Sequence, residues 1–67
     1  MKVILNGVER ELAGATVADA VAAVAGDPER RGIAVALDGV VVPRGRWAET
    51  ALRKGQAVEV LEARQGG

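Results

Sequence analysis

The residues with the clearest chemical potential stand at the end of the chain, which reads Gly66-Gly67. Glycine has no Cβ atom, so a diglycine is a thin piece of backbone that adopts almost any φ and ψ. The carbonyl carbon of Gly67 is therefore open to attack, with no side chain beside it. This end of the chain could carry a covalently attached group, or it could simply be a frayed terminus.

The composition excludes most other chemistry. The 67 residues include no cysteine and no histidine, so the chain lacks a thiol nucleophile, the commonest metal ligands and the commonest general base. No carboxylates stand at the spacing of a general acid–base pair. We therefore expect no catalytic residues, no metal site and no permanently bound cofactor. The pattern favours a protein that acts on the surface of a partner rather than an enzyme.

Net charge and chain length further restrict the kind of protein that this chain can be. Nine basic and nine acidic residues cancel, so no net field favours nucleic acid or an anionic membrane as a partner. No apolar run reaches the length of a membrane span, and the N-terminus does not resemble a signal peptide. We expect a cytoplasmic protein, monomeric when free, whose single domain has a stability of about 3–5 kcal/mol.

Two turn signals organise the strands. Asn6-Gly7 predicts a type I′ hairpin between strands at about 2–5 and 8–12. Asp38-Gly39 predicts a second hairpin, between strands at 33–37 and 40–42. Beyond it we expect an irregular segment or one short helical turn over 44–50, and a last strand over 57–62.

One helix is predicted between the two hairpins, over 17–25. Thr16 is a suitable N-cap, and Asp19 three residues later resembles the acidic member of a capping box. Gly26 is a natural residue for the C-terminal end of the helix. The apolar residues at helical spacing form one face, which consists of Val17, Ala20, Val21 and Val24.

The element order β-β-α-β-β-β is the pattern of a β-grasp, ubiquitin-like domain of the α+β class. We expect a mixed four- or five-stranded sheet with the helix packed on one face, and the first and last strands parallel at its centre. The domain would span residues 1–67, with 63–67 as a flexible tail that includes Arg64, Gln65, Gly66 and Gly67.

Period-two alternation divides the strand residues between the two faces of the sheet. The predicted core face contains Val3, Leu5, Ile33, Val35, Leu37, Val58 and Val60. The opposite face contains Ile4, Ala34, Ala36 and Leu61. Because a single helix covers only one face, an apolar second face is typical of a partner-binding surface. A register shifted by one residue would instead make these four residues part of the core.

Several segments together resemble the ThiS family of sulfur carriers. They are VILNG, GATVADAV, IAVALDGVVVPRGRW and the ending LRKGQAVEVLEARQGG, which together span nearly the whole chain. The most specific part is Val42-Pro43-Arg44 followed by Trp47.

The resemblance implies a function. In such a carrier, a ThiF-type adenylyltransferase uses ATP to adenylate the terminal glycine, here Gly67. Sulfur from a sulfurtransferase or cysteine desulfurase then converts the adenylate to a thiocarboxylate. A ThiG-type thiazole synthase consumes this sulfur for the thiazole ring of thiamine. The chain itself would be a protein cosubstrate, and ATP would be bound by its partner.

Three alternatives share the expected fold. They are the small subunit of molybdopterin synthase, a ubiquitin-like protein modifier, and an interaction module whose tail is inert. The Val-Pro-Arg segment with Trp47 and the short length argue against the first of these.

The role of the remaining charged and aromatic residues stays open. We favour Trp47 as an anchor for its loop over a role as partner contact. Arg44 and Arg46 are either ion contacts for an acidic partner or solvated. We expect Arg30-Arg31 to form a solvated loop in which Asp27 and Glu29 compensate their charge.

Overall fold

The computed structural model describes residues 1–27 and 29–63. Its strands are β1 (Lys2–Leu5), β2 (Val8–Glu11), β3 (Ile33–Leu37), β4 (Val40–Val42) and β5 (Ala57–Glu62). Its helices are α1 (Val17–Ala25) and a 3₁₀ helix (Arg44–Glu49). No helix among the described residues is long and apolar enough to cross a membrane. Residues 64–67 of the predicted tail lie outside the described residues.

The five strands form one mixed sheet in the order β2-β1-β5-β3-β4. The first and last strands are parallel, as the sequence predicts, and the other neighbours are antiparallel. Both hairpin turns have positive φ at both central residues: 51° and 81° in Asn6-Gly7, and 48° and 86° in Asp38-Gly39. These are the angles that a type I′ turn requires.

The predicted capping box at the start of α1 is confirmed. The Thr16 side chain accepts a hydrogen bond from the Asp19 N–H at 3.3 Å, and the Asp19 carboxylate accepts one from the Thr16 N–H at 3.0 Å. At the other end, Gly26 has a left-handed conformation, and its N–H donates to the carbonyl oxygen of Ala22. Local sequence therefore fixes both ends of the helix.

The core lies between α1 and one face of the sheet. The buried strand residues Val3, Leu5, Val35, Val58 and Val60 face the helix residues Val17, Ala20 and Val21. Leu12, Trp47 and Leu52 complete the buried cluster. Of the remaining predicted core residues, Ile33 and Leu37 are partly buried and pack against this cluster.

The prediction that Val24 lies on the face of α1 that packs against the sheet is wrong. Its side chain is 39% exposed, whereas Ala25, in the same last turn of α1, packs against the core. The last turn therefore lies at the margin of the core. The helical period identifies the inward direction but does not show how far along the helix the core extends.

Candidate functional site

The structure shows how the base of the C-terminal segment is positioned. β5, the central strand, ends at Glu62, which pairs with Ile33 of β3. One residue further, the N–H of Ala63 donates to the carbonyl oxygen of Gly32 at 2.6 Å. Ala63 is the last described residue, so the predicted carrying residue Gly67 and its neighbours Arg64, Gln65 and Gly66 lie outside the described part of the chain.

A side chain from the first hairpin also holds β5. The Asn6 carboxamide accepts the N–H of Val60 at 2.8 Å and donates to the Val60 carbonyl oxygen at 3.2 Å. The register between β1 and β5 pairs Ile4 and Leu5 with β5, and the backbone N–H of Asn6 donates to the Val58 carbonyl oxygen at 2.9 Å. The Asn6 side chain extends this contact further towards the end of β5. The sequence predicts Asn6 only as a turn residue, because its hydrogen-bond partner is 54 residues away.

Four residues predicted for the second face of the sheet do lie on the face away from α1. Ile4 is 40% and Leu61 66% exposed, and Ala34 is directly opposite Leu61 in the register of β3 and β5. Ala36 is opposite the exposed Val41 of β4. Because residues opposite each other share a face, Val41 belongs to the same surface. We refer to Ile4, Ala34, Ala36, Val41 and Leu61 as the helix-free face.

A carboxylate interrupts this apolar surface. Glu59 is opposite Ala36 and lies on the same strand as Leu61, two residues before it, so its exposed side chain lies within the helix-free face. Among the described residues, Glu59 makes no ion pair. By contrast, the carboxylate of Glu9, on the edge strand β2, lies 4.0 Å from the ammonium nitrogen of Lys2 and is ion-paired with it. The surface therefore combines apolar contact area with an uncompensated negative charge near its centre.

Trp47 is a buried anchor. Its side chain is 3% exposed, and the indole Nε1–H donates to the Val42 carbonyl oxygen at 2.9 Å. The guanidinium of Arg44 lies 4.4 Å from the centre of the indole ring, at the distance of a cation–π contact. The ring is thus covered on its surface side. This geometry supports the loop-anchor interpretation of Trp47.

The prediction that Asp27 and Glu29 compensate the charge of Arg30 is wrong. Arg30 forms an ion pair with Glu62 at the end of β5, not with the nearby Asp27 or Glu29. The Asp27 carboxylate instead accepts a hydrogen bond from the N–H of Glu29 at 2.9 Å. Sequence proximity suggested the nearer acids, whereas the fold brings β5 to the loop.

Two carboxylates have pKa values below their ordinary range, and both have structural causes. Hydrogen bonds from the Thr16 backbone, then the Thr16 side chain, lower the pKa of Asp19. A hydrogen bond from the N-terminal ammonium, together with its charge, lowers the pKa of Glu11. The interpretation of Asp19 as a helix cap therefore holds, and neither group is tuned for proton transfer near neutral pH.

A sheet of five strands that holds one helix against its face, with parallel first and last strands, defines the β-grasp class. Within this class the chain belongs to the ThiS family, whose sequence model matches residues 3–67. The structure is similar to the crystal structure of a thiamine biosynthesis protein (ThiS) from Geobacter metallireducens. That similarity has a TM-score of 0.75 at 28% sequence identity and covers 100% of each chain. No curated protein sequence matches this chain significantly.

Proposed function

We propose that this protein is a cytoplasmic sulfur carrier for the thiazole ring of thiamine, with the carboxylate of Gly67 as the carrying group. The observation that carries the proposal is the ThiS family match, which extends through Gly66 to Gly67. The similar structure is of a protein whose name places it in thiamine biosynthesis. The absence of cysteine from the sequence also supports the terminus, because no side chain can hold sulfur as a persulfide.

Sulfur loading of Gly67 proceeds in two stages. A carboxylate oxygen of Gly67 attacks the α-phosphorus of ATP and pyrophosphate leaves, which gives an acyl-adenylate. A sulfur nucleophile then attacks the Gly67 carbonyl carbon, and AMP leaves. If the sulfur arrives as a persulfide, a thiol must reduce the resulting S–S bond to release the thiocarboxylate. A ThiF-type enzyme would provide the ATP site, since this chain offers no histidine or thiol for either stage.

The fold supports this role mechanically. Because Gly67 follows the central strand by only five residues, the reactive carboxylate is joined to the middle of the sheet rather than to an edge. A partner that docks on the helix-free face would contact Leu61 on that same strand. The docking surface and the start of the segment that carries Gly67 would therefore lie on the same strand. We propose the helix-free face as the surface that meets the adenylyltransferase and the ThiG-type thiazole synthase.

The test uses intact mass spectrometry. The protein is incubated with a ThiF-type adenylyltransferase, ATP and a sulfur source, and the expected product has one oxygen replaced by one sulfur. The matched control lacks Gly67: it still ends in glycine, but its reach is shorter by roughly 3.5 Å. We expect this control to keep its fold and to lose sulfur loading, because misplacement by about 1 Å can already cost on the order of a hundredfold in rate.

Two results would contradict the proposal. One is a full-length chain that never gains sulfur, and the other is a shortened chain that loads equally well. Isopeptide conjugates to lysines of other proteins, without any sulfur loading, would indicate the ubiquitin-like modifier instead.

A further inference from the structure

The loop between α1 and β3 contacts the end of β5 in two ways. The Arg30 guanidinium is ion-paired with the Glu62 carboxylate. Two residues later, the carbonyl oxygen of Gly32 accepts the N–H of Ala63. These contacts hold the last two described residues of the chain, immediately before the C-terminal segment 64–67.

This support matters because the other side of β5 is less constrained at this point. On the β1 side, the last hydrogen bonds that the described residues make to β5 are those between Asn6 and Val60. Beyond Val60, the described partners of the strand are β3 and the loop. An end held on one side frays more easily than one paired on both.

Glycine at position 32 is needed for the close approach. Its φ is +80°, a left-handed conformation that other residues rarely adopt. A Cβ atom placed there would also lie 3.1 Å from the carbonyl oxygen of Ala63. A side chain at this position would therefore strain the turn and push against the residue that the loop holds.

The loop is itself tied to the core. The carbonyl oxygen of Arg30 accepts a hydrogen bond from the Arg44 guanidinium, which lies over the ring of the buried Trp47. Contacts therefore connect the interior, through Arg44 and Arg30, to Glu62. This connection distinguishes Arg30 from Arg31, whose side chain makes no ion pair among the described residues.

We propose that Arg30 and Gly32 are positioning residues for sulfur transfer, which hold Glu62 and Ala63 so that segment 64–67 begins from a fixed point. This inference rests on the proposed function, because it assigns these residues a role in presenting Gly67.

The expected effect follows from the number of residues between Gly67 and the last residue that the loop and the sheet hold. The four residues beyond Ala63 span at most about 14 Å when extended. If loss of the loop contacts lets the end of β5 fray so that Glu62 and Ala63 are released, six residues follow Leu61 and span about 21 Å. The effective concentration of a tethered group falls roughly as the −3/2 power of the tether length, so length alone gives about a twofold loss. Loss of the correct direction adds to this, since productive orientation contributes strongly to rate.

The experiment compares Arg30→Ala with the matched control Arg31→Ala, which removes the same charge from the same loop. Loading of sulfur by the ThiF-type enzyme is measured over a range of carrier concentrations, together with the Kd of the complex and the amide exchange rate of Ala63. We expect Arg30→Ala to raise Ala63 exchange and lower kcat by about two- to tenfold, with KM and Kd nearly unchanged. Arg31→Ala should resemble the wild type.

Three further variants separate positioning from folding. Gly32→Ala should lower kcat in the same way through the backbone contact. Arg30→Glu should be worse than Arg30→Ala, and adding Glu62→Arg should restore the rate by re-forming the ion pair with reversed charges.

The outcomes distinguish this inference from the function on which it rests. Failure of the wild type to load sulfur overturns the proposed function. If the wild type loads, the positioning role is overturned by any of three results: Arg30→Ala loads at the wild-type rate, KM changes while kcat does not, or Ala63 exchange is unaltered in Arg30→Ala.

Discussion

The side chain of Asn6 bonds to both polar backbone groups of Val60, with distances of 2.8 Å to the N–H and 3.2 Å to the carbonyl oxygen. Asn6 has a positive φ within the first hairpin turn, so one residue both shapes that turn and joins the first hairpin to the central strand. Few side chains suit both tasks, because asparagine combines tolerance of positive φ with one donor and one acceptor group.

Replacing Asn6 by aspartate tests this link. Aspartate keeps an acceptor for the Val60 N–H but places an oxygen against the Val60 carbonyl oxygen. We expect a loss of about 1 kcal/mol in the free energy of unfolding, which corresponds to roughly 4–8 °C in Tm for a domain of this size. Thermal unfolding at neutral pH checks it, and an unchanged Tm would show that the side-chain bonds contribute nothing to stability.

The assigned core face is tested by two aspartate substitutions on α1. Val21 is fully buried, so Val21→Asp places an unpaired charge in the interior and should unfold a domain of such modest stability. The matched variant Val24→Asp alters a side chain that is 39% exposed and should leave the protein folded, with a much smaller loss. Circular dichroism and thermal melting of both variants test this assignment. Equal losses of stability in the two variants would refute the packing of α1.

The helix cap predicts a specific dependence of stability on pH. Hydrogen bonds from Thr16 make the pKa of Asp19 lower in the folded chain than in the unfolded chain, where it is about 3.9. The stabilisation is therefore present above about pH 4 and is lost as the pH falls through the folded pKa. Asp19→Asn imitates the protonated state, so wild type and variant should differ most near neutral pH and converge in acid. Denaturant unfolding from pH 7 to pH 2 measures this, and a gap that persists in acid would contradict it.

The helix-free face is tested by Leu61→Arg. Leu61 is 66% exposed, so the substitution should change stability by about 0.5 kcal/mol or less while weakening the complex with the adenylyltransferase or the thiazole synthase. Val40→Arg is the matched control, because Val40 is 68% exposed but is opposite Leu37 on the helix side of the sheet. Binding measured by calorimetry should fall for the first variant only. Equal affinities for both variants, or unfolding of Leu61→Arg, would remove the basis for this surface.

Short-range signals in the sequence were sufficient to predict the strands, the helix and their order along the chain. Asn6-Gly7 and Asp38-Gly39 predict both hairpins because type I′ angles require such residues, and Thr16 with Asp19 predicts the start of α1. Alternation along β1, β3 and β5 separates the core from the helix-free face, since side chains alternate with a period of two. The family resemblance and the proposed role of the diglycine terminus likewise rest on the sequence.

Contacts between distant segments depended on the tertiary structure. Nothing near Arg30 indicates Glu62 as its partner in place of Asp27 or Glu29, and nothing near Asn6 indicates Val60. Turns and caps are set by a few adjacent residues, whereas these contacts exist only after the sheet has brought the end of β5 between the first hairpin and the loop before β3. Their partners are therefore decided by packing.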